Sequence, residues 1–503
     1  MDHFHTRTHN LKGTISPHIQ QNIKYTTKVM QDCNDLVQKQ FKIGIDHKIS
    51  IYIVYMDGLV NTEMLQESVI RPLLQDSFPQ ERTAISQYVI ESADWKWIDT
   101  MEDAMTAVLS GNTVLFLDGE ARAILFSSKS FPTRGVQNAD QEVAIVGPKD
   151  SFTESLRMNT ALIRRRIRDT RLKVIQKQIG TRSKTDYALM YIEDLVQKDI
   201  LNKIQKQMDK ICVDGIFDNG MLQQYLEKDS KTPFPLYQLT QRPDKVASSI
   251  MEGRIGVVLD NSPMVLFLPV TFNVFFQASD DYYNRWEITT FVRILRYIAA
   301  IISIGLPGFY VAIAGFHPEV LPTPFLLALI SAREGVPFPV IVEVLLMELS
   351  FELLREAGIR LPGQLGGTMG VVGGLIVGQA AVDAHLVSTI VVIVVALTAI
   401  ATFSIPNELF TSAFRLMKFF LIILCAFWGL YGFFLGFLAM FIHLFYLENY
   451  GVPYAHPMVE ERGRLSTAFQ DFMVRYPLKR MKYRPEFTKE GARVRQKEDE
   501  DEK

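Results

Sequence analysis

The stretch from Leu361 to Pro406, LPGQLGGTMGVVGGLIVGQAAVDAHLVSTIVVIVVALTAIATFSIP, limits what this chain can be more than any other part of it. It carries one formal charge, Asp383. A run so long and apolar does not suit the core of a soluble domain, so it predicts two membrane spans that turn near Asp383 and His385.

The first predicted span has an unusual pattern. Gly366, Gly370, Gly374 and Gly378 recur every four residues, which on a helix makes one ridge without side chains where another backbone can pack closely. Thr368, Val372, Ile376, Gln379 and Asp383 fall on roughly the opposite face. Polar groups there flank two β-branched apolar residues. Such a face suits a pore lining with a hydrophobic constriction, because a ring of Val and Ile gates ions by dewetting. A tightly packed bundle helix whose Gln and Asp bond to neighbouring helices fits the same residues, and the pattern alone leaves both readings open.

The chain has 503 residues and a net charge of -2. Those totals hide a division, since residues 1–290 hold most of the charge and 291–447 most of the long apolar runs. The expected fold is therefore an α+β soluble part followed by an α-helical transmembrane domain. The first residues, MDHFHTRTHNLKG, lack an apolar core, so no cleaved signal peptide is expected. Cys33, Cys212 and Cys425 are scattered, which argues for a reducing compartment and against a disulfide framework.

Within the soluble part, residues 1–44 read as a polar lead-in with one helix near Ile19 to Phe41. Ile49 to Met56 reads as a buried strand, then a helix through about Leu74, a helix near Met101 to Leu109, and a hairpin over Asn112 to Ser127. The same order returns at Tyr187 to Ile192, about Lys198 to Ile211, Lys245 to Met251, and a hairpin from Arg254 to Leu268. Tyr55-Met56-Asp57-Gly58-Leu59-Val60 matches Tyr191-Ile192-Glu193-Asp194-Leu195-Val196, and Gly111 to Gly119 matches Gly253 to Asn261. Two copies of one small α/β subdomain are expected, over 45–160 and 161–285. They could enclose a ligand cleft or form a stalk that packs subunits. Between them, Arg164-Arg165-Arg166-Ile167-Arg168 and Arg171 make the most basic patch, suited to phosphate or anionic lipid, to solvent, or to acids of a neighbouring subunit. The sequence has no zinc spacing, phosphate-binding glycine loop, nucleophile elbow or aromatic-interleaved basic surface. The expectation is a non-enzyme without cofactor, metal or nucleic-acid partner.

The membrane domain is expected over 286–450, followed by a charged cytoplasmic tail, 451–503. Arg285, Arg293 and Arg296 precede a first span, Tyr297 to Ala314, that Gly305-Leu306-Pro307-Gly308 is expected to break. These cations, with the basic tail from Arg462, place both ends in the cytoplasm and require an even number of crossings. Four are expected, with an interfacial or re-entrant segment near 320–360. There, one helix from Pro337 to Pro362 carries Glu343, Glu348, Glu352, Arg355 and Glu356. Glu352 and Arg355 are spaced to pair, and so many acids require protein, water or the interface around them. Glu343 stands alone on its side, as an interhelical or ion-contacting carboxylate or a solvated edge. Lys418 to Glu448, with Gly429, Gly432 and Gly436, reads as one long tilted helix or two short ones bent in the middle.

One block, Pro337-Phe338-Pro339, Glu343, Met347-Glu348, Phe351-Glu352 and Arg355-Glu356-Ala357-Gly358-Ile359-Arg360-Leu361-Pro362, followed by the glycine span and Ser404-Ile405-Pro406-Asn407, resembles the A subunits of the spore germinant receptors, the GerA family. Tyr55 to Val60, and Arg164 to Ile167 followed by Tyr191 to Val196, are similar to that family's soluble domain. The resemblance covers about Ile43 to Val459. It implies a multi-pass subunit of the inner spore membrane, acting with a transporter-like B subunit and a lipoprotein C subunit. It also implies assembly into a ring, a pentamer, that forms a nutrient-gated cation channel and triggers germination. In such a ring Thr368, Val372, Ile376, Gln379 and Asp383 would face the axis. The other expectations to weigh are an amplifier paralogue, a transporter or direct nutrient-binding receptor using the soluble cleft, and a scaffold.

Overall fold

The computed structural model describes residues 13–43, 49–74, 94–130, 146–227, 231–360, 374, 376–459, 471–485 and 487–496. The chain divides into two compact units. One comprises residues 1–228, 237–269 and 482–503, the other 229–236 and 270–481.

The first unit is built from two five-stranded antiparallel sheets. The first contains β1 (Leu36–Ile43), β2 (Ile49–Met56), β3 (Trp95–Ile98), β4 (Thr113–Leu117) and β5 (Ala123–Phe126) in the order β1-β2-β4-β5-β3. The second contains β6 (Leu172–Ile179), β7 (Thr185–Ile192), β8 (Gln238–Thr240), β9 (Ile255–Leu259) and β10 (Val265–Leu268) in the order β6-β7-β9-β10-β8. The orders are the same and so are the registers. Leu36 opposite Met56 is answered by Leu172 opposite Ile192, and Ile51 opposite Leu117 by Tyr187 opposite Leu259. The duplication read from the sequence is thus a duplication of topology.

The near-continuous apolar run of β2 follows from cover on both faces of its sheet. Tyr52, Val54 and Met56 join one core with α1 (Ile19–Val29) and α2 (Met101–Leu109). Ile51, Ile53 and Tyr55 join another with Leu65, Val69 and Leu73 from the broken helical segment 62–73. Because successive side chains alternate, a strand covered on both sides needs apolar residues at every position, each worth about 1.5–3 kcal/mol of burial. β1 is an edge strand with exposed Gln38, Lys39 and Gln40. The expected helix from Ile19 to Phe41 is therefore corrected. It stops at Val29, Asp32 takes a left-handed φ of 60°, and the chain returns as β1.

Each copy opens with a helix capped in the same way. Asp118 Oδ1 accepts from Ile19 N at 3.1 Å, and Asp260 Oδ1 accepts from Leu156 N at the start of α3 (Leu156–Arg166) at 3.0 Å. The matching glycines also have a shared reason. Gly111 (φ 85°) and Gly253 (φ 92°) lie where a Cβ would come within 2.9 Å of Leu59 O and 3.0 Å of Leu195 O. Only glycine takes that conformation at that distance without strain. The second copy adds α4 (Lys198–Met208), α5 (Asn219–Leu226) and α6 (Pro243–Met251).

Three arginines of the basic run are paired within the chain, while Arg165 and Arg168 are exposed. Arg164 is 1 % exposed and makes a bidentate pair with Asp35 at 2.8 and 2.9 Å, while donating to Leu172 O at 3.0 Å. Arg166 pairs with Asp150, and Arg171 with Asp169 and Asp194. Their acids belong to this chain, not to a neighbour or to solvent. The Arg164–Asp35 pair lies where the copies meet, beside backbone bonds from Asn34 N to Val174 O (3.0 Å) and from Val174 N to Asp32 O (2.9 Å).

The second unit is helical: α7 (Trp286–Phe316), α8 (Thr323–Ala332), α9 (Val340–Arg360), α10 (376–383), α11 (Thr389–Phe403) and α12 (Glu408–Tyr446). Trp286–Phe316 and Glu408–Tyr446 are long and apolar enough to cross a membrane. α7 runs unbroken through Pro307, contrary to expectation. Gly305 and Gly308 act there as sites of close approach, the first facing Phe433 and Phe437, the second Leu421 and Cys425. Arg293 and Arg296, read from the sequence as flanking cations, are paired. Arg293 is fully buried against Asp281 (2.9 Å) and Asp471 (2.6 Å), and Arg296 meets Asp281 at 2.8 Å.

α12 takes the second of the two expected forms. Gly429 has φ 55° and ψ −135°, a non-helical conformation that folds the helix into two legs, 408–428 and 430–446. Gly432 lies against the backbone of Leu424 and Cys425, and Gly436 against Leu421, so the legs run antiparallel in contact. The turn at Gly429 abuts Phe316 and His317 at the end of α7. At the opposite end, Phe410 packs on Phe276, which stacks on Tyr297 near the start of α7, and Phe234 touches both Phe410 and His443. By a rise of about 1.5 Å per residue each leg approaches the thickness of a bilayer core, about 30 Å.

Candidate functional site

The residues singled out from the sequence lie on α9 and on the stretch that contains α10. Gly366, Thr368, Gly370 and Val372 fall outside the described residues. Gly378 of α10 is buried against α11, where a Cβ would sit 3.3 Å from Val392 Cγ1, whereas Gly374, ahead of α10, has nothing within 4 Å among the described residues. Ile376 is 60 % exposed, and Gln379 and Asp383 are exposed. Gln379 Nε2 donates to Asp383 Oδ1 at 2.9 Å, one turn apart. Thus one face of α10 packs within the chain, and the face carrying Ile376, Gln379 and Asp383 is open.

Three of the four carboxylates of α9, Glu343, Glu348 and Glu352, each find a cation on another helix or helix end. Glu343 is fully buried. It accepts from Arg333 Nε at 3.1 Å and from Ser388 N at 2.8 Å, which ties the end of α8 and the start of α11 to α9. It is an interhelical carboxylate and not a solvated edge. Glu348, 1 % exposed, pairs with Lys418 at 2.5 Å. Glu352 pairs with Arg415, and Arg355 with Glu408 at 2.5 Å. The expected Glu352–Arg355 pair is corrected accordingly, because each residue pairs across to α12.

These pairs set direction as well as contact. Residues 348, 352 and 355 of α9 meet 418, 415 and 408 of α12, so α9 runs antiparallel to the first leg. Ser388 meets Glu343 while Phe403 meets Phe351 and Arg355, so α11 runs parallel to α9. The Glu348–Lys418 pair is buried on both sides, so it contributes little net stability, but leaving one partner alone costs about 3–5 kcal/mol, and this rung fixes register. Sequence reasoning did not find Lys418, Arg415, Arg333 or Ser388. The available signal was the pair of cations just ahead of the final apolar run, where a basic residue is ordinarily read as an interfacial anchor.

Among the described residues, no group of three or more His, Cys, Asp or Glu side chains is placed to hold a metal ion. The polar chemistry of α9 and α10 is instead this ladder and the open face of α10.

The model of the family described as Bacillus/Clostridium GerA spore germination protein matches residues 24–487. Spore germination protein KA of Bacillus subtilis (strain 168) is 38 % identical over 492 residues, covering 96 % of this chain and 89 % of its own. A protein of the same organism named uncharacterized membrane protein YfkQ is 38 % identical over 448 residues, covering 88 % and 87 %. Among solved structures, the N-terminal domain of the A subunit of the Bacillus megaterium spore germinant receptor GerK3 matches with a TM-score of 0.42 and 28 % identity, over 52 % of this chain and 98 % of that one. With a family match across nearly its full length and relatives at this identity, the chain belongs to the GerA spore germination protein family.

Proposed function

We propose that this protein is the A subunit of a nutrient receptor complex in the inner spore membrane, and that copies of it assemble into a ring, a pentamer, that conducts cations when nutrient is sensed. The B and C receptor subunits and membrane lipid are its partners in this reading, and both ends are cytoplasmic. The helical unit crosses the membrane an even number of times in this reading, with α7 and the two legs of α12 among the crossings. An even count is supported by the start of α7 and the end of α12 lying at one end of the bundle, with Gly429 at the other.

The observation that carries the channel reading is the division of α10. Gly378 is buried on α11 of the same chain, while Ile376, Gln379 and Asp383 are exposed among the described residues and available to an axis shared by several copies. Val372 and Ile376 would form the constriction, and Asp383 a cation-favouring ring at one mouth. Gly366, Gly370 and Gly374 would let neighbouring helices approach.

Flux of monovalent cations from proteoliposomes, with oligomer mass measured in parallel, tests this. Val372→Ala and Ile376→Ala are expected to leak without nutrient. A monomeric protein, or normal closure in both variants, would refute the assignment.

A further inference from the structure

The helical unit contains a cavity of about 210 Å³ that the ion ladder and α10 do not use. Ala300 and Ile304 of α7, Phe437 and Met440 of the second leg, and Phe276 and Ala455 form its walls, and almost no polar surface faces it. An apolar cavity of about 150 Å³ stays dry and takes up benzene, so this one has room for a hydrocarbon guest and nothing to hold water.

The mouth shows which guest. The wall residues Ile301, Phe441 and Phe445 are themselves 62 %, 49 % and 45 % exposed. They continue into the exposed apolar faces of the same helices, Ile294 and Ile298 on α7 and Phe434, Leu438 and Ile442 on the second leg. If these helices cross a bilayer, that face is the one that meets lipid, and the cavity opens sideways from it. A polar nutrient would lose its hydrogen bonds to water inside and gain none. A hydrocarbon chain loses nothing.

We propose that this cavity is a binding site for one acyl chain of a membrane phospholipid, entering laterally between α7 and the second leg of α12. The inference rests on the membrane-crossing reading of those two helices. The occupied chain fills the space where α7, the hairpin and the segment around Ala455 converge, so it acts as part of the packing at that end of the bundle.

The test uses the full-length protein in vesicles of phosphatidylglycerol carrying a diazirine near the end of one acyl chain. Adducts are mapped by peptide mass spectrometry after illumination. Phe434 and Ile442 report lipid that merely surrounds the helices. Phe276 and Ala455 are buried, and only a chain inside the cavity reaches them. Adducts at all four positions are expected. Ala300→Phe fills the cavity and should lower the adducts at Phe276 and Ala455 about tenfold, as expected from excluding about two methylene groups, with those at Phe434 and Ile442 unchanged. Ala455→Leu fills it from the other side and should do the same. Adducts on the exposed legs alone, in the unmodified protein, overturn the acyl site while leaving the crossing helices in place. A second copy covering the mouth would give that result. No adducts anywhere overturn the membrane reading and this site with it.

Discussion

Replacing Arg164 by Gln should open the seam between the two copies of the α/β unit. The substitution keeps most of the side-chain volume and removes the charge that Asp35, 5 % exposed, is paired with. Removing one partner of a buried pair costs about 3–5 kcal/mol, since the remaining carboxylate is left desolvated without its cation. At about 1.4 kcal/mol per decade, the open population should rise by at least 10² to 10³-fold. Cys33 supplies the assay. It is 8 % exposed, its Sγ lies 3.5 Å from Leu172 O, and burial pushes its thiol up, an effect that the nearby Arg164 charge only partly offsets. In a Cys212→Ser background, which removes the exposed thiol, labelling of Cys33 reports opening of the seam, with buried Cys425 as an internal reference. Labelling should accelerate by that factor in Arg164→Gln. It should largely recover in Asp35→Leu/Arg164→Leu, where no charge is stranded. Less than about a fivefold change in the single variant, well below what an uncompensated buried charge requires, would refute the view that this pair closes the seam.

Three further outcomes are expected. Gly429→Ala should lower the detergent-phase melting temperature and the yield of folded protein, because a Cβ at φ 55° would sit 2.9 Å from Phe316 Cβ and His317 Nε2 and the strained conformation alone costs about 1–3 kcal/mol. Glu348→Leu/Lys418→Met should be more stable than Glu348→Leu alone, as measured by thermal melting in detergent, because the single change strands a buried ammonium. Asp169 is pushed up by burial, but hydrogen bonds from Arg171 outweigh this and hold its carboxyl below the ordinary 3.8. A depressed carboxylate stabilises the fold above its unfolded pKa, and the contribution is lost as pH falls through the folded value. Asp169→Asn should therefore reduce the loss of stability below about pH 4 and leave the slope near neutral pH unchanged, as read by hydrogen exchange of the 167–172 amides.

The strands covered on both faces were legible because burial dictates every residue. ISIYIVYM and the hairpins at Gly111 and Gly253 could hardly be anything else. The first strand of each copy was missed for the opposite reason. LVQKQFKI and LKVIQKQI are edge strands with three consecutive exposed polar positions, and their composition fits a helix as well as a strand. Tertiary pairing with β2 and β7 decides them. In the helical unit, apolar length showed where the helices are but not which carboxylate meets which cation. Glu352 and Arg355 have good local spacing, yet across the helix gap each has a partner that also relieves burial. The chemistry of Gly429 was equally ambiguous, because a glycine inside an apolar run permits a bend of any size, and only contacts made by Gly432 and Gly436 select the full reversal.

That reversal has a mechanical consequence. A single residue joins the two legs, and small residues seat one leg on the other, so neither can slide or pivot without carrying its twin. The charged rungs from Glu348, Glu352 and Arg355 of α9 attach to the first of them. A displacement of α9 would thus be delivered to a stiff double rod, and its far edge, the aromatic side that includes Phe434 and Phe441, would sweep through the surroundings although it bears no charge itself.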